Sequence, residues 1–181
     1  HFVDTLEKVV AKNQQYTWPQ DWNRYYGTDI GGQYVSAWGA LSAGPHLVYY
    51  RGHGSPRTWS EWDFNGQSQS TLDIPTFYYA QFPERTPIFI SSACSNGGIQ
   101  SNDRCWTEEW MENEQGAVAA YGALGGSWRN INHASTERFF DITFGTDNAN
   151  LKQILDTALC IATLEHAGAE RIGQHHGAAA R

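Results

Sequence analysis

Basic charge is scarce in this chain. Lys and Arg number 12 against 19 Asp and Glu, which leaves a net charge of −7 and a pI near 5.4. A balance of that sign argues against nucleic acid as a partner, because phosphate binding needs a concentrated basic face. Long apolar runs are also missing: no stretch approaches the ~18 residues of a membrane-spanning helix, so no membrane span is expected. Cysteine occurs only 3 times, at Cys94, Cys105 and Cys160. That is too few for a disulfide framework, and no Cys-x-x-Cys pair is present. The adjacent His175 and His176 lack the spacing of two ligands on one helix face; they read as a solvated tail, and no metal site is expected. An initiating Met is absent as well. A chain that starts at His1 is expected to be a processed or trimmed product, with any export signal out of view.

What is present is ample material for a core. A length of 181 residues points to a single domain over 1–181, large enough to bury a sizeable interior. Aromatic residues make up 14%, with 8 Trp, and charged residues only 17%, which excludes a disordered or low-complexity chain.

The organising stretch is Pro87-Ile88-Phe89-Ile90-Ser91-Ser92-Ala93-Cys94-Ser95-Asn96-Gly97-Gly98. An apolar run bounded by proline on one side and a Cys-Ser-Asn-Gly-Gly turn on the other reads as a buried strand that delivers a thiol to a tight loop at its carboxyl end. In open α/β sheets that is where ligands bind, since side chains there stand on a rigid sheet and face a crevice. His46-Leu47-Val48-Tyr49-Tyr50-Arg51-Gly52-His53-Gly54-Ser55 follows the same plan. The intervening chain is long enough for a crossover to a parallel neighbour. Adjacent strands lie about 4.8 Å apart, so groups at corresponding strand ends come within reach of each other. Glycine on both sides of His53 permits a sharp turn and leaves amide N–H groups uncovered, as an oxyanion site requires. Taken alone, such a Cys is ordinarily a small buried hydrophobe, and such a His a turn residue. Together, each at a strand end and each close to glycine, they point to nucleophilic chemistry.

These two motifs, Tyr49-Tyr50-Arg51-Gly52-His53-Gly54-Ser55 with Trp59 downstream and Ser91-Ser92-Ala93-Cys94-Ser95-Asn96-Gly97, resemble the His-Gly and Ala-Cys motifs of the caspase-like cysteine peptidases and, within them, the gingipain family. The likeness continues through Arg104-Cys105-Trp106-Thr107-Glu108-Glu109-Trp110-Met111, Gln115-Gly116-Ala117-Val118-Ala119-Ala120-Tyr121-Gly122 and Ser127-Trp128, and covers roughly residues 46–128. It implies an α/β fold: a caspase-like three-layer sandwich with a mostly parallel sheet and helices on both faces. It implies an exported or cell-surface cysteine endopeptidase that acts on polypeptides through a thioester acyl-enzyme. In that scheme Cys94 is the nucleophile, His53 its acid–base partner, and the N–H groups of Gly54 and Cys94 form the oxyanion site, with Arg51, Ser92, Ser127 and Trp128 on the substrate side. No cofactor is required. Structural calcium, which the family uses, is left open, since no acidic loop of the recognisable kind is found. Two other classes stand beside this one: an inactive module that binds peptide or glycan through its aromatics, and a surface-processing transpeptidase on the same scaffold.

The resemblance also leaves a gap. The family carries a further strand before the His strand, with an acid that orients the catalytic His, yet no apolar run precedes His46. The chain is therefore expected to be a fragment or shortened in its N-terminal part. Asp29 is the nearest candidate for the orienting acid, although an Asp before glycines is ordinarily a turn residue. Substrate preference is divided. Alternation sets Arg51 on the same side as His53, and Arg129 follows Trp128; two cations favour an acidic or neutral residue before the scissile bond. Ile131 stands where a lysine-specific branch carries its acid, but another branch draws its acid from the early segment, so basic specificity stays open. The ordinary reading of Arg51 is a surface salt bridge.

Elsewhere the sequence predicts scaffold. Phe2, Val3, Leu6, Val9 and Val10 recur at helical spacing. Residues 14–45 show neither period. Trp59, Trp62 and Phe64 read as an aromatic loop, and Asp73-Ile74-Pro75 as the start of a crossover helix. A helix is predicted over about Cys105–Gln115, with Trp106 and Trp110 on one face and Gly116 as its cap, and a strand over Ala117–Ala123. Ser135 reads as the cap of a helix that carries Phe139, Phe140 and Phe144 to Gly145. Leu151, Ile154, Leu155, Ala158, Leu159 and Ala162 define an amphipathic core helix, and the tail from Gly173 onward a frayed end. Cys105 is expected to be a buried free thiol; its pairing with Cys160 is left open, as is the oligomeric state.

Overall fold

Strand Ile88–Ser92 is central: Phe89, Ile90 and Ser91 are all but completely buried, and a strand covered on both faces belongs inside a parallel sheet. The structure is a computed structural model that describes residues 2–14, 22, 24, 39–60, 62–64, 67–69, 72–73, 87–99, 103–145 and 153. In chain order its elements are α1 (Phe2–Asn13), β1 (Leu47–Arg51), β2 (His53–Ser55), β3 (Thr58–Ser60), β4 (Trp62–Phe64), β5 (Gln67–Gln69), β6 (Leu72–Asp73), β7 (Ile88–Ser92), α2 (Trp106–Glu112), β8 (Ala119–Gly122) and α3 (Arg129–Gly145). Two compact units are formed, one from residues 22–127 and one from residues 3–21 and 128–181.

In the first unit β7 lies between β1 and β8, and both pairings are parallel. The register runs from Leu47 opposite Ile88 to Arg51 opposite Ser92, and from Ile88 opposite Ala119 to Ser91 opposite Gly122. One face of β7 carries the core, which gathers Leu41, Tyr50, Trp59, Phe89, Ala93, Trp106, Trp110 and Ala117. Rings stack in it: Tyr50 on Trp59 and Trp59 on Trp106, both at 4.2 Å between centroids, and Phe89 on Trp110 at 4.1 Å. Such pairs add roughly 1 kcal/mol each beyond their buried area, which makes this aromatic pile the main internal tie between sheet and helix. Tyr49 takes the opposite face, where its hydroxyl meets Ser92 Oγ at 2.6 Å.

Helix α2 begins at Cys105, whose backbone is extended. The Glu108 carboxylate turns back to accept the Cys105 N–H at 2.8 Å. That bond, a contact with the Cys105 side chain and the charge of Arg104 hold the Glu108 carboxyl below its ordinary value. Cys105 is a buried free thiol, as expected. The helix ends earlier than predicted, at Glu112 with Asn113 as its cap, whose N–H donates to Glu109 O at 3.1 Å. Gly116 is therefore not the cap. Its N–H donates to Asn113 O at 2.8 Å, and a Cβ added there would fall onto the Trp110 carbonyl oxygen. Glycine is needed for space, not for a left-handed backbone. Gly116→Ala is expected to lower stability by about 3 kcal/mol, read as a reduced urea midpoint at unchanged slope.

Two further readings are corrected. The aromatic loop is a set of short strands: Trp59 lies in β3, paired with β2 and β6, while Trp62 and Phe64 lie in β4, paired with β5. Three-residue strands rich in Gly, Ser and Gln carry no readable alternation. Asp73, placed at the start of a helix, is a residue of β6. The remainder of that predicted helix, the amphipathic stretch at 151–162 apart from Gln153, the tail, Cys160 and Asp29 lie outside the described residues. Within the unreadable stretch, residues 39–42 form a helical turn that buries Leu41 and ends on Gly44 at φ 73°, where glycine supplies the left-handed cap.

In the second unit α1 spans the predicted residues and buries Val9 and Val10. Helix α3 starts at Arg129, not at Ser135. Ser135 sits within it, and its hydroxyl donates to Asn132 O at 3.1 Å, the back-bonding that a helical Ser adopts when no free N–H needs capping. Phe139 and Phe140 are buried and meet edge to face at 5.1 Å. Lys12 and Asp141 pair at 2.6 Å, a half-exposed contact worth less than about 1 kcal/mol, so the apolar stripes carry this unit. Among the described residues no helix is long and apolar enough to cross a membrane.

Candidate active site

The last ladder pair of β1 and β7 is Arg51 with Ser92. Two positions further along each chain come His53 and Cys94, at corresponding ends of adjacent parallel strands. Between Arg51 and His53 the backbone bends at Gly52, where a Cβ would strike the Tyr50 ring. The Tyr50 hydroxyl donates to His53 O at 2.8 Å, which fixes the carbonyl of the residue whose side chain is exposed.

Past β7, Ala93 is buried, and Cys94 is a half-buried free thiol. The chain then reverses through Ser95 at φ 59°, the only left-handed non-glycine among the described residues. Such a conformation costs on the order of 1 kcal/mol and is held by its surroundings. Here the loop is stitched to the segment after β8: Ser95 N–H donates to Gly125 O at 2.8 Å and Gly97 N–H to Ala123 O at 2.9 Å. Gly97 and Gly122 approach so closely that a side chain on either would meet the other's backbone. The same segment brings Ser127 to the thiol. Its N–H points at Cys94 Sγ from 3.4 Å and its hydroxyl from 3.7 Å, while its carbonyl lies 3.7 Å from the sulfur.

Gly54 joins the two motifs. A Cβ at that position would lie 2.8 Å from Ala93 Cβ, 2.8 Å from Cys94 O and 2.9 Å from Asn96 Oδ1. The backbone after His53 is thus seated on the Cys94 loop. Gly54 does not use a left-handed backbone, since Gly44 is the sole positive-φ glycine among the described residues; close approach is what the position needs.

Arg51 is not a surface group. It is buried, and its Nη1 donates to Ser92 O at 3.0 Å across the ladder. Ser92 is buried too, its hydroxyl on Tyr49. Trp128 is 73% exposed, Arg129 exposed and Ile131 half-buried. Among the described residues no group of three or more His, Cys, Asp or Glu is disposed to hold a metal ion.

Asn96 was not singled out in the sequence, yet it is completely buried and its amide holds the site together. Nδ2 donates to Ser55 O at 2.5 Å and to Thr58 O at 2.9 Å. Oδ1 accepts from Ser91 Oγ at 2.6 Å, and that hydroxyl in turn accepts from Trp59 Nε1 at 2.9 Å. The Asn-Gly pair after the cysteine was its only sequence signal.

Comparison with known proteins matches the fold that carries this site. A complex of the pro- and mature domains of RgpB from Porphyromonas gingivalis shares 19% identity with a TM-score of 0.71, over 88% of this chain and 38% of that one. The Arg-specific cysteine proteinase gingipain R (RgpB) shares 16% identity with a TM-score of 0.74, over 90% of this chain and 37% of that one. The chain thus spans less than two fifths of the length of either structure, and it shares with them the caspase-like α/β fold expected from its motifs. No curated protein sequence matches it. The model of peptidase family C25 matches residues 3–174, nearly the whole sequence, and by that match the chain belongs to peptidase family C25, the gingipain family of cysteine peptidases.

Proposed function

We propose that this chain carries the catalytic dyad of a cysteine endopeptidase. In this reading the Cys94 thiolate attacks the carbonyl carbon of a peptide bond, and the tetrahedral oxyanion is held by the N–H groups of Gly54 and Cys94. His53 delivers a proton to the departing amine, leaving a thioester on Cys94. A water that gives its proton to His53 then hydrolyses the thioester and restores the thiol.

The observation that carries the reading is the seating of Gly54 on Ala93 and Cys94 beside a half-buried free thiol. The backbone supports the oxyanion assignment. Ser55 and Thr58 flank the two-residue turn Pro56-Arg57 and so form a hydrogen-bonded pair. Gly54 and Trp59 are then a non-bonded pair, with the Gly54 N–H turned away from β3. In the loop the N–H groups of Ser95, Gly97 and Gly98 all have acceptors, and among the described residues none is matched to Cys94 N–H. Ser127 is assigned to the substrate side of the sulfur, while Arg51 and Ser92 fix the strand ends. Membership of family C25 supports a polypeptide substrate and action outside the cell or at its surface.

Given a library of peptides, the protein is expected to release shorter peptides, and an irreversible thiol probe at neutral pH is expected to label Cys94 ahead of buried Cys105. Neither label nor cleavage leaves a binding module. Transfer of the acyl group to an added amine in preference to water makes it a transpeptidase.

A further inference from the structure

We propose that Asn96 is a positioning residue, which locks the hairpin bearing His53 onto the loop bearing Cys94. This role rests on the dyad reading above. Asn96 lies two positions after Cys94, and its two amide hydrogens go to Ser55 O, two positions after His53, and to Thr58 O across the turn. One planar NH₂ group thus bridges both ends of the two-residue turn. The third carbonyl of the hairpin tip, Pro56 O, accepts from Trp106 N–H at 2.7 Å.

The amide is itself aimed. Trp59 Nε1–H, Ser91 Oγ–H and Asn96 Oδ1 form a directed chain from the core to the loop, so the hydroxyl hydrogen of Ser91 has one available role and the amide cannot flip. Asn96 O receives Thr107 N–H at 3.1 Å and Thr107 Oγ1 at 3.3 Å, which fixes the backbone on which the amide stands. Neither a carboxylate nor a hydroxyl would serve. A carboxylate would face two carbonyls without a donor, and a hydroxyl has one hydrogen for two acceptors. Because the Gly54 position for a Cβ is also 2.9 Å from Asn96 Oδ1, the clamp acts at the point where the two motifs touch. Small displacements there reach the chemistry strongly, since a shift of about 1 Å between reacting groups costs roughly a hundredfold.

The test is the alkylation rate of Cys94 by iodoacetamide at neutral pH, read by mass mapping of the labelled peptide in wild type, His53→Ala, Asn96→Ala and the double variant, each first checked for fold by circular dichroism. Asn96→Ala is expected to slow alkylation to within about twofold of His53→Ala, and the double variant to be no slower than His53→Ala, the coupling of residues that act through one another. A wild-type rate for Asn96→Ala, or losses that multiply in the double variant, would overturn the proposal. A wild-type rate for His53→Ala overturns the dyad itself and this inference with it. Should Asn96→Ala not fold, Ser91→Ala keeps the amide and removes its orienting donor together with the acceptor of Trp59 Nε1. Its rate is expected to fall between wild type and His53→Ala, and a rate equal to wild type counts against the clamp.

Discussion

Cys94→Ala is expected to abolish peptide cleavage, with a loss of at least about 10⁴-fold of the kind seen when a covalent nucleophile is removed, while the fold stays intact. The second half of that expectation follows from packing. Cys94 is half-buried, and among the described residues its sulfur has polar contacts with the N–H, hydroxyl and carbonyl of Ser127, none closer than 3.4 Å. Deleting it leaves no core cavity, so the melting temperature is expected to stay within about 2 °C of wild type. Cys105→Ala is the matched control. Cys105 is 0% exposed and stands at the start of α2 with Sγ 3.3 Å from Thr107 Oγ1, so its removal is expected to lower stability by about 1–2 kcal/mol and leave turnover per folded molecule unchanged. The same peptide library read with both variants separates the two roles. Undiminished cleavage by Cys94→Ala would dismiss the nucleophile.

The contrast between these thiols shows what was legible in the sequence. Cys94 and His53 could be found because each follows an apolar run punctuated by proline or glycine, and the parallel register of β1 and β7 then brings the strand ends level. Helix α2 could be found from Trp106 and Trp110 four apart. Its end could not, because Gly116 signals a cap by residue type alone, and only the position of the Trp110 carbonyl reveals that the glycine answers to space. Strands β2 and β3 were hidden for a related reason: their residues are too few to show a period, and their hairpin tip is held from outside by Asn96 and Trp106. For Arg51 the sequence leaves a place beside the substrate and a surface salt bridge both open, because strand alternation suggests the His53 side and charge alone suggests solvent. Its burial depends on a carbonyl at Ser92, far away in sequence, which the ladder delivers. What the chain does not spell out is long-range hydrogen bonding by single polar side chains, and Asn96 is the clearest instance.

Gly54→Ala is expected to lower kcat by about 10³-fold with little change in KM, because one added methyl disturbs two catalytic elements together. The position needs room on three sides: Ala93 Cβ and Cys94 O at 2.8 Å and Asn96 Oδ1 at 2.9 Å from where the Cβ would stand. None of these neighbours can yield. Ala93 is buried in the core, Cys94 O belongs to the backbone of the strained turn, and the Asn96 amide is fixed by Ser91. The hairpin must therefore move outward, taking the His53 backbone and the Gly54 N–H with it. Loss of one oxyanion donor costs about 10²–10³-fold, and displacement of the acid–base group adds to that. Binding that depends on more distant parts of a peptide is not affected, which is why the effect falls on kcat. Gly125→Ala and Gly126→Ala provide the comparison: a Cβ at either meets nothing within 4 Å, although both lie on the segment that reaches Cys94 through Ser127, so near-wild-type rates are expected for them. Full turnover by Gly54→Ala would mean that the His-Gly backbone is not pressed against the Cys94 loop in the active protein, and the oxyanion assignment would fall with that contact.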